Sequence, residues 1–407
     1  MNFGLIGGKL GHSYSPQIHS HLGDYSYVLI EKTADELEAL LKSDQYSGFN
    51  VTIPHKSTVI PYCDELSPVA ARLGAVNTIV RRLDGTIVGH NTDYFGFDTM
   101  LNRSGLHVTG KKVLVLGSGG TSKTAVAVLL DHGAQVITIS RSGENNYTNL
   151  HLHQDAAVIV NTTPVGMYPS TGIAPVTLDN FPNLEGVLDV IYNPSRTQLL
   201  LDAEKRGLVA MNGLLMLVAQ AKESAEWFTG SAIADEKIDS IHKILKQKME
   251  NIVLIGMPGS GKSTVGKIVA QQTGKQFVDA DACIIEKAGC TIPEIFSTQG
   301  EEGFRVLETQ VLSEIGKSSG LVIATGGGCV TRDENYPLLH QNGQIFCLER
   351  NLAQLATDGR PLSQSSKMDQ MYRVRKPLYE KFADHRIDNN GTPTCTAAEI
   401  LSIWEEY

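Results

Sequence analysis

Residues 251–264 read Asn251-Ile-Val-Leu-Ile255-Gly256-Met-Pro-Gly259-Ser260-Gly261-Lys262-Ser263-Thr264. An apolar run of strand length enters a glycine-rich turn, and the turn opens a helix-like stretch. The turn satisfies G-x-x-x-x-G-K-[ST] in full. Backbone N–H groups of such a loop cradle phosphates, the lysine reaches the outer phosphates and the hydroxyl meets Mg2+. ATP is therefore expected on Gly259, Ser260, Gly261, Lys262, Ser263 and Thr264, with Mg2+ on Ser263. This strand–turn–helix order predicts a parallel α/β domain.

A second junction of the same kind lies upstream. Lys111-Lys112-Val-Leu-Val-Leu116 enters Gly117-Ser118-Gly119-Gly120-Thr121-Ser122, followed by a helix-like run. Glycines here let a pyrophosphate approach the backbone at a helix N-terminus. The third place of G-x-G-x-x-G holds Ser122, a small residue that still permits close helix–strand packing. The next strand ends in Ser140-Arg141-Ser142, where a binder of NAD usually has an acidic residue. A hydroxyl and a guanidinium suit a 2′-phosphate, so NADP(H) is expected on Gly117, Ser118, Gly119, Gly120, Thr121, Ser140 and Arg141.

Two such junctions in 407 residues imply more than one domain. The main boundary is expected near residue 248, with a P-loop domain over 249–407. With 35 Lys+Arg against 44 Asp+Glu, the net charge of −9 argues against general nucleic-acid or anionic-membrane binding. The best apolar run, Leu208–Ala221, is too short to span a bilayer. Met1–Leu10 lacks a charged leader pattern. Six cysteines without C-x-x-C spacing read as thiols of a reducing cytoplasm.

Other segments carry unusual polar density. Asp279-Ala-Asp281 puts two carboxylates on one side of an extended segment. One can serve the Mg2+ shell and the other an acceptor hydroxyl. Gly300–Arg305, Thr325–Gly328, Arg360-Pro361-Leu362 and Arg375–Tyr379 add arginines and a close-approach backbone, which suit a small anionic acceptor. In the first hundred residues, Asn50-Val-Thr52-Ile-Pro54-His-Lys56 and Asn91-Thr92-Asp93 offer a lysine and a carboxylate. Such a pair can perform acid–base work, although spacing alone favours a surface salt bridge.

The ordered segments Gly11-His-Ser13-Tyr-Ser15-Pro16, Asn50–Lys56, Gly74-Ala-Val-Asn77-Thr78, Asn91–Asp93, Asn161–Met167 and Asn212–Ala221 resemble shikimate dehydrogenases, from residue 1 to about 245. The resemblance implies a substrate lobe over 1–102 plus 213–248 and a Rossmann-like NADP lobe over 103–212. It further implies Lys56 and Asp93 as the catalytic pair. Ser13, Ser15 and Tyr192 would serve the substrate carboxylate, Asn50, Thr52, Asn77 and Gln220 its hydroxyls or the same cleft, and Gly213 would lie beside the nicotinamide.

Residues 249–407 resemble shikimate kinases, on the P-loop, Asp279-Ala-Asp281, Gly300–Arg305, Thr325–Gly328, Arg360-Pro361-Leu362 and Arg375–Tyr379. Asp281 would then orient the attacking hydroxyl. Arg305 and Arg375 would bind the carboxylate, Glu308 would support the arginines and Gly327 would offer backbone. Arg360 would meet the transferring phosphate from a lid, and Asp279 would hold Mg2+ through water. The family's adenine-side arginine before Arg-Pro-Leu is missing.

The expected architecture is α/β throughout: a two-lobed dehydrogenase followed by a P-loop, NMP-kinase-like domain with a parallel sheet. The expected small-molecule partners are 3-dehydroshikimate and shikimate, without nucleic acid or membrane, and the oligomeric state stays open. Two alternatives also stay open: a dehydrogenase with quinate activity, and a C-terminal half that only senses nucleotide.

Overall fold

The computed structural model describes residues 1–11, 13–355 and 365–406, without the side chains of 365–367. The expected lid arginine, Arg360, lies outside the described residues. The chain divides into two compact units. The first comprises Met1–Gly166, Ile173–Tyr192 and Leu199–Ile244, and the second Met167–Gly172, Asn193–Gln198 and Leu245–Tyr407.

The first unit contains two sheets. The mixed sheet uses β1 (Asn2–Gly7), β2 (Ser26–Glu31), β3 (Gly48–Val51), β4 (Glu65–Leu66), β5 (Thr78–Arg81) and β6 (Ile87–His90), in the order β2-β1-β3-β5-β6-β4. β1 is parallel to β2 and β3, whereas β5 is antiparallel to β3 and β6. The register pairs Thr78 with Asn50 on one side and with His90 on the other. It thus gathers the start of the Lys56 turn, Asn77 and the Asn91–Asp93 segment at one sheet edge.

The second sheet is wholly parallel: β7 (Lys112–Leu116), β8 (Gln135–Ile139), β9 (Val158–Asn161), β10 (Gly186–Asp189) and β11 (Val209–Asn212), in the order β11-β10-β9-β7-β8. β9 and β10 are buried throughout, which is why their sequences are apolar runs without alternation. The strand order reverses between β7 and β9, the point at which open parallel sheets bind ligands.

Helices Asp93–Ser104 and Leu214–Thr229 pack closely: a Cβ on Gly96 would lie 2.7 Å from the Met216 carbonyl oxygen. That approach returns the late helix to the early residues of the chain.

The second unit holds β12 (Asn251–Ile255), β13 (Gln276–Asp279), β14 (Leu321–Ala324), β15 (Gly343–Glu349) and β16 (His385–Asp388), all parallel, in the order β13-β14-β12-β15-β16. The glycine loop follows the central strand. The two units have separate cores, one including Phe97, Met100 and Val113, the other Val253, Leu312 and Phe382. No helix among the described residues is long and apolar enough to cross a membrane.

Candidate active sites

Lys56 follows the turn after β3, and Asp93 opens helix Asp93–Ser104. The Lys56 ammonium donates to Asp93 Oδ2 at 2.6 Å, with side chains only 22% and 13% exposed. Thirty-seven residues of sequence separation are closed by the sheet register. Beside the pair, Thr92 sits at the helix N-cap but its side chain makes no cap bond. Its hydroxyl instead joins Asn77 and Gln220. Asn77 Nδ2 reaches Thr92 Oγ1 at 3.0 Å and Gln220 Oε1 at 3.4 Å, and the Thr92 N–H donates to Asn77 Oδ1 at 2.7 Å. Lys56, Asp93, Asn77 and Gln220 are therefore brought together. Thr92 was overlooked by the motif reading, although its N-cap position was a visible signal.

Asn50 has a different place. It is buried and its amide donates to the Asn77 carbonyl, Thr78 and Ser224, while Tyr27 donates to its oxygen at 2.8 Å. The amide braces the cleft wall from behind, so direct contact with a substrate hydroxyl is not the role its surroundings support. Thr52 is half-buried, with its N–H donating to the Ile6 carbonyl at 2.8 Å.

Ser13 Oγ donates to Ser15 Oγ at 3.1 Å. Between them, the Tyr14 ring meets Tyr192 edge-on, with centroids 6.3 Å apart. Burial raises both phenol pKa values, keeping the rings as neutral hydroxyl donors. Tyr27, also raised by burial, touches Ser15 as well as Asn50 and so links this hydroxyl-rich cluster to the braced wall.

In the parallel sheet, Gly117 has φ +115°, and a Cβ there would lie 2.6 Å from Thr162 Oγ1. Only glycine turns the chain this close to the end of β9. Ser122 is buried and donates to the Gly117 carbonyl at 2.7 Å. The residue that breaks the glycine pattern thus closes the turn. Ser118, Gly119 and Gly120 are exposed, Thr121 is half-buried, and helix Gly120–Asp131 begins there. Ser140 is half-buried at the end of β8, and Arg141 beside it is exposed, with no ion pair among the described residues. Gly213 ends β11 so tightly that a Cβ would lie 2.1 Å from the Val190 carbonyl oxygen.

In the second unit, Gly261 (φ +93°) caps helix Lys262–Thr273. Lys262 is buried and donates to the Gly256 and Met257 carbonyls at 2.9 and 3.0 Å. Gly259, Ser260 and Thr264 complete the loop and the first helical turn, and Ser260 accepts from Asn389 Nδ2. Ser263 Oγ donates to Asp279 Oδ2 at 2.7 Å, and Asp279 Oδ1 accepts the Asp281 N–H at 3.1 Å. A hydroxyl and a carboxylate this close are hard oxygen donors of the kind Mg2+ takes.

Gly326, Gly327 and Gly328 form the hub opposite. A Cβ on Gly326 would lie 2.6 Å from Glu308 Oε1 and 2.9 Å from Asp281 Oδ1; on Gly327, 2.6 Å from Pro258; on Gly328, 2.1 Å from Arg305. Arg305 pairs with Glu308 at 2.7 Å, both buried, and with Glu301 at 3.2 Å. Arg375 donates to the Gly327 carbonyl at 3.0 Å, and Tyr379 donates to the same oxygen. The glycine run is thus the only backbone thin enough to let Asp281, Arg305, Glu308 and the phosphate loop converge. Tyr379, to which the sequence motifs assign no role, holds the Gly327 backbone. No group of three or more metal-ligating side chains occurs among the described residues.

The sequence pattern of the shikimate dehydrogenase substrate binding domain matches residues 5–79, and that of shikimate kinase matches residues 258–405. A shikimate dehydrogenase (NADP(+)) of Clostridium beijerinckii is 34% identical over 268 residues, covering 61% of this chain and 99% of the relative. Among solved structures, shikimate dehydrogenase 1 of Peptoclostridium difficile is 38% identical, covering 60% of this chain and 98% of its own, with a TM-score of 0.56. A chorismate mutase/shikimate 5-dehydrogenase fusion protein of Clostridium acetobutylicum is 35% identical, covering 60% and 97%, with a TM-score of 0.58. The chain belongs to the shikimate dehydrogenase family and carries a shikimate kinase domain behind it.

Proposed function

We propose that the chain performs two consecutive reactions: reduction of 3-dehydroshikimate to shikimate with NADPH, then transfer of the ATP γ-phosphoryl group to the shikimate 3-hydroxyl. The observation that carries this reading is that the two families joined in one chain share a compound, shikimate, as product of one and acceptor of the other.

When bound, NADPH supplies the hydride, and Mg2+ neutralises phosphate charge. The rest falls to the protein. Lys56 donates a proton to the ketone oxygen as it gains negative charge, and Asp93 fixes the ammonium in place. Asn77, Thr92 and Gln220 hold ring hydroxyls. Ser13, Ser15 and Tyr192 donate to the carboxylate. Arg141 beside Ser140 answers a 2′-phosphate, which supports NADP over NAD.

In the kinase domain, Lys262 leaves its own loop carbonyls for the stronger charge of a phosphate. Ser263 would hold Mg2+, with Asp279, hydrogen-bonded to the Ser263 hydroxyl, supporting it. Asp281 orients the attacking hydroxyl and takes its proton, while Arg305 and Arg375 hold the carboxylate. We assign the dehydrogenase to residues 1–248, with its NADP lobe at 103–212, and the kinase to 249–407.

The test is one incubation of the whole chain with 3-dehydroshikimate, NADPH, ATP and Mg2+, read by mass spectrometry. Shikimate 3-phosphate is the expected product. Shikimate without the phosphate would overturn the kinase half; in a separate assay with NADP+, quinate oxidised better than shikimate would overturn the assigned substrate of the first half.

A further inference from the structure

The parallel sheet of the kinase domain has a direction across its strands. The acceptor groups Asp281 and Gly326–Gly328 follow β13 and β14, on one side of the central strand β12 and its phosphate loop. A nucleotide whose outer phosphate faces that acceptor must extend its nucleoside end towards the opposite side, over β15 and β16. Arg350 stands there, immediately after β15.

Three observations single it out. Its Nη1 lies 3.6 Å from where a Cβ of Gly261 would be, directly against the phosphate loop. Its Nε is buried without a hydrogen-bond partner, and its guanidinium pairs with no carboxylate among the described residues. Its backbone is held on both flanks: the Asn389 N–H donates to the Glu349 carbonyl at 2.7 Å, and the Asn351 N–H donates to Asn390 Oδ1 at 2.8 Å. Asn389 in turn reaches the Ser260 carbonyl. The loop after β16, the end of β15 and the phosphate loop are therefore one connected frame, with a guanidinium set in it that pairs with no carboxylate among the described residues. By contrast, nearby Arg386 is paired with Glu349 at 2.6 Å and Arg332 with Glu334 at 3.1 Å. A buried guanidinium Nε left without a partner is costly, and a planar guanidinium stacks on aromatic rings as well as donating hydrogen bonds.

We propose that Arg350 is a nucleotide-binding residue that holds the nucleoside end of ATP against the frame formed by the phosphate loop and the β15 and β16 ends. This rests on the kinase domain binding ATP, and it adds a contact that the phosphate-loop motif does not include. The contact is made equally before and after transfer, so it acts on nucleotide affinity and not on the chemical step.

The experiment is calorimetric titration of the full chain with Mg-ADP and, separately, with Mg-pyrophosphate, for wild type, Arg350→Gln and Arg350→Lys. Arg350→Gln is expected to weaken ADP binding about tenfold, as for loss of one charged contact, and to leave pyrophosphate within about twofold. Arg350→Lys, which keeps charge without the planar face, is expected between the two. The KM for ATP should rise with kcat and the KM for shikimate held, the unchanged kcat reporting an intact kinase domain. Unchanged ADP affinity would overturn the proposal, and so would an equal loss for pyrophosphate, which would move the contact to the phosphates. A wild-type chain that binds ADP but leaves shikimate unphosphorylated would instead defeat the kinase reading and leave Arg350 testable.

Discussion

Lys56 and Asp93 are held at 2.6 Å with small residual exposure, so neither side chain is free to swing into solvent. Replacing Lys56 by Met removes the proposed proton donor and leaves Asn77, Thr92 and Gln220 in place. Reduction of 3-dehydroshikimate should fall by about 10²-fold or more, with little change in KM, while phosphorylation of added shikimate is unaffected. Steady-state assays of both half-reactions check this. Glu223 makes a separate residue-scale prediction. Burial first, and then the charge of Glu226, raise its carboxyl pKa to about 8, and one of its oxygens is buried without a partner. Between the ordinary carboxylate range and pH 8 the folded chain holds a proton that the unfolded chain has lost. Stability therefore falls as pH rises through that window and levels off above it. Glu223→Gln removes this dependence. Its melting transition should gain on wild type by several degrees, about 3–6 °C, between pH 5 and 8, as scanning calorimetry at matched ionic strength would register.

At the scale of elements, two glycines carry steric arguments that flexibility cannot relieve. Gly213 starts helix Leu214–Thr229 against the Val190 carbonyl, and backbone faces backbone. Gly213→Ala must push the helix start away, moving Gln220 and the proposed nicotinamide contact at the helix start. Dehydrogenase turnover should drop at least about tenfold, a shift of roughly 1 Å in a reacting geometry being sufficient, with kinase activity intact. Gly328→Ala meets Arg305 instead. A lone arginine could step aside, but this one is pinned by Glu308 and Glu301. The KM for shikimate in the kinase reaction should rise several-fold, with the KM for ATP held. The same packing explains what was hidden from the motifs. Asn50 looks like a ligand in sequence, yet it is surrounded by Tyr27, Thr78 and Ser224, up to 174 positions away. Only the closure of helix on sheet decides that its amide faces inward.

At the scale of the whole molecule, the two units have their own sheets and their own cores. Damage to one site should therefore stay local. A Lys56→Met chain and a Lys262→Met chain should each fail to convert 3-dehydroshikimate to shikimate 3-phosphate. Mixed in one tube, they should restore the conversion, because shikimate released by one chain can reach the other through solvent. Product formation followed by mass spectrometry against chain concentration checks this, and no product from the mixture would mean that the intermediate never leaves its own chain.

What the sequence determined by itself is the set of local geometries. The glycine turns after Leu116 and Ile255, the apolar parallel strands and the order of the charged motifs depend on residues close together in the chain, where sterics and periodicity act directly. They were enough for the α/β class and for both glycine-rich loops. Only the tertiary structure decided which polar groups face a cleft and which face the core. Thr92 joined Asn77 and Gln220, Tyr379 took the Gly327 carbonyl, Asn50 turned towards Thr78 and Ser224, and Arg350 was left with no carboxylate partner among the described residues. Burial and hydrogen-bond satisfaction belong to contacts between distant segments, and those contacts exist only once the sheets have closed.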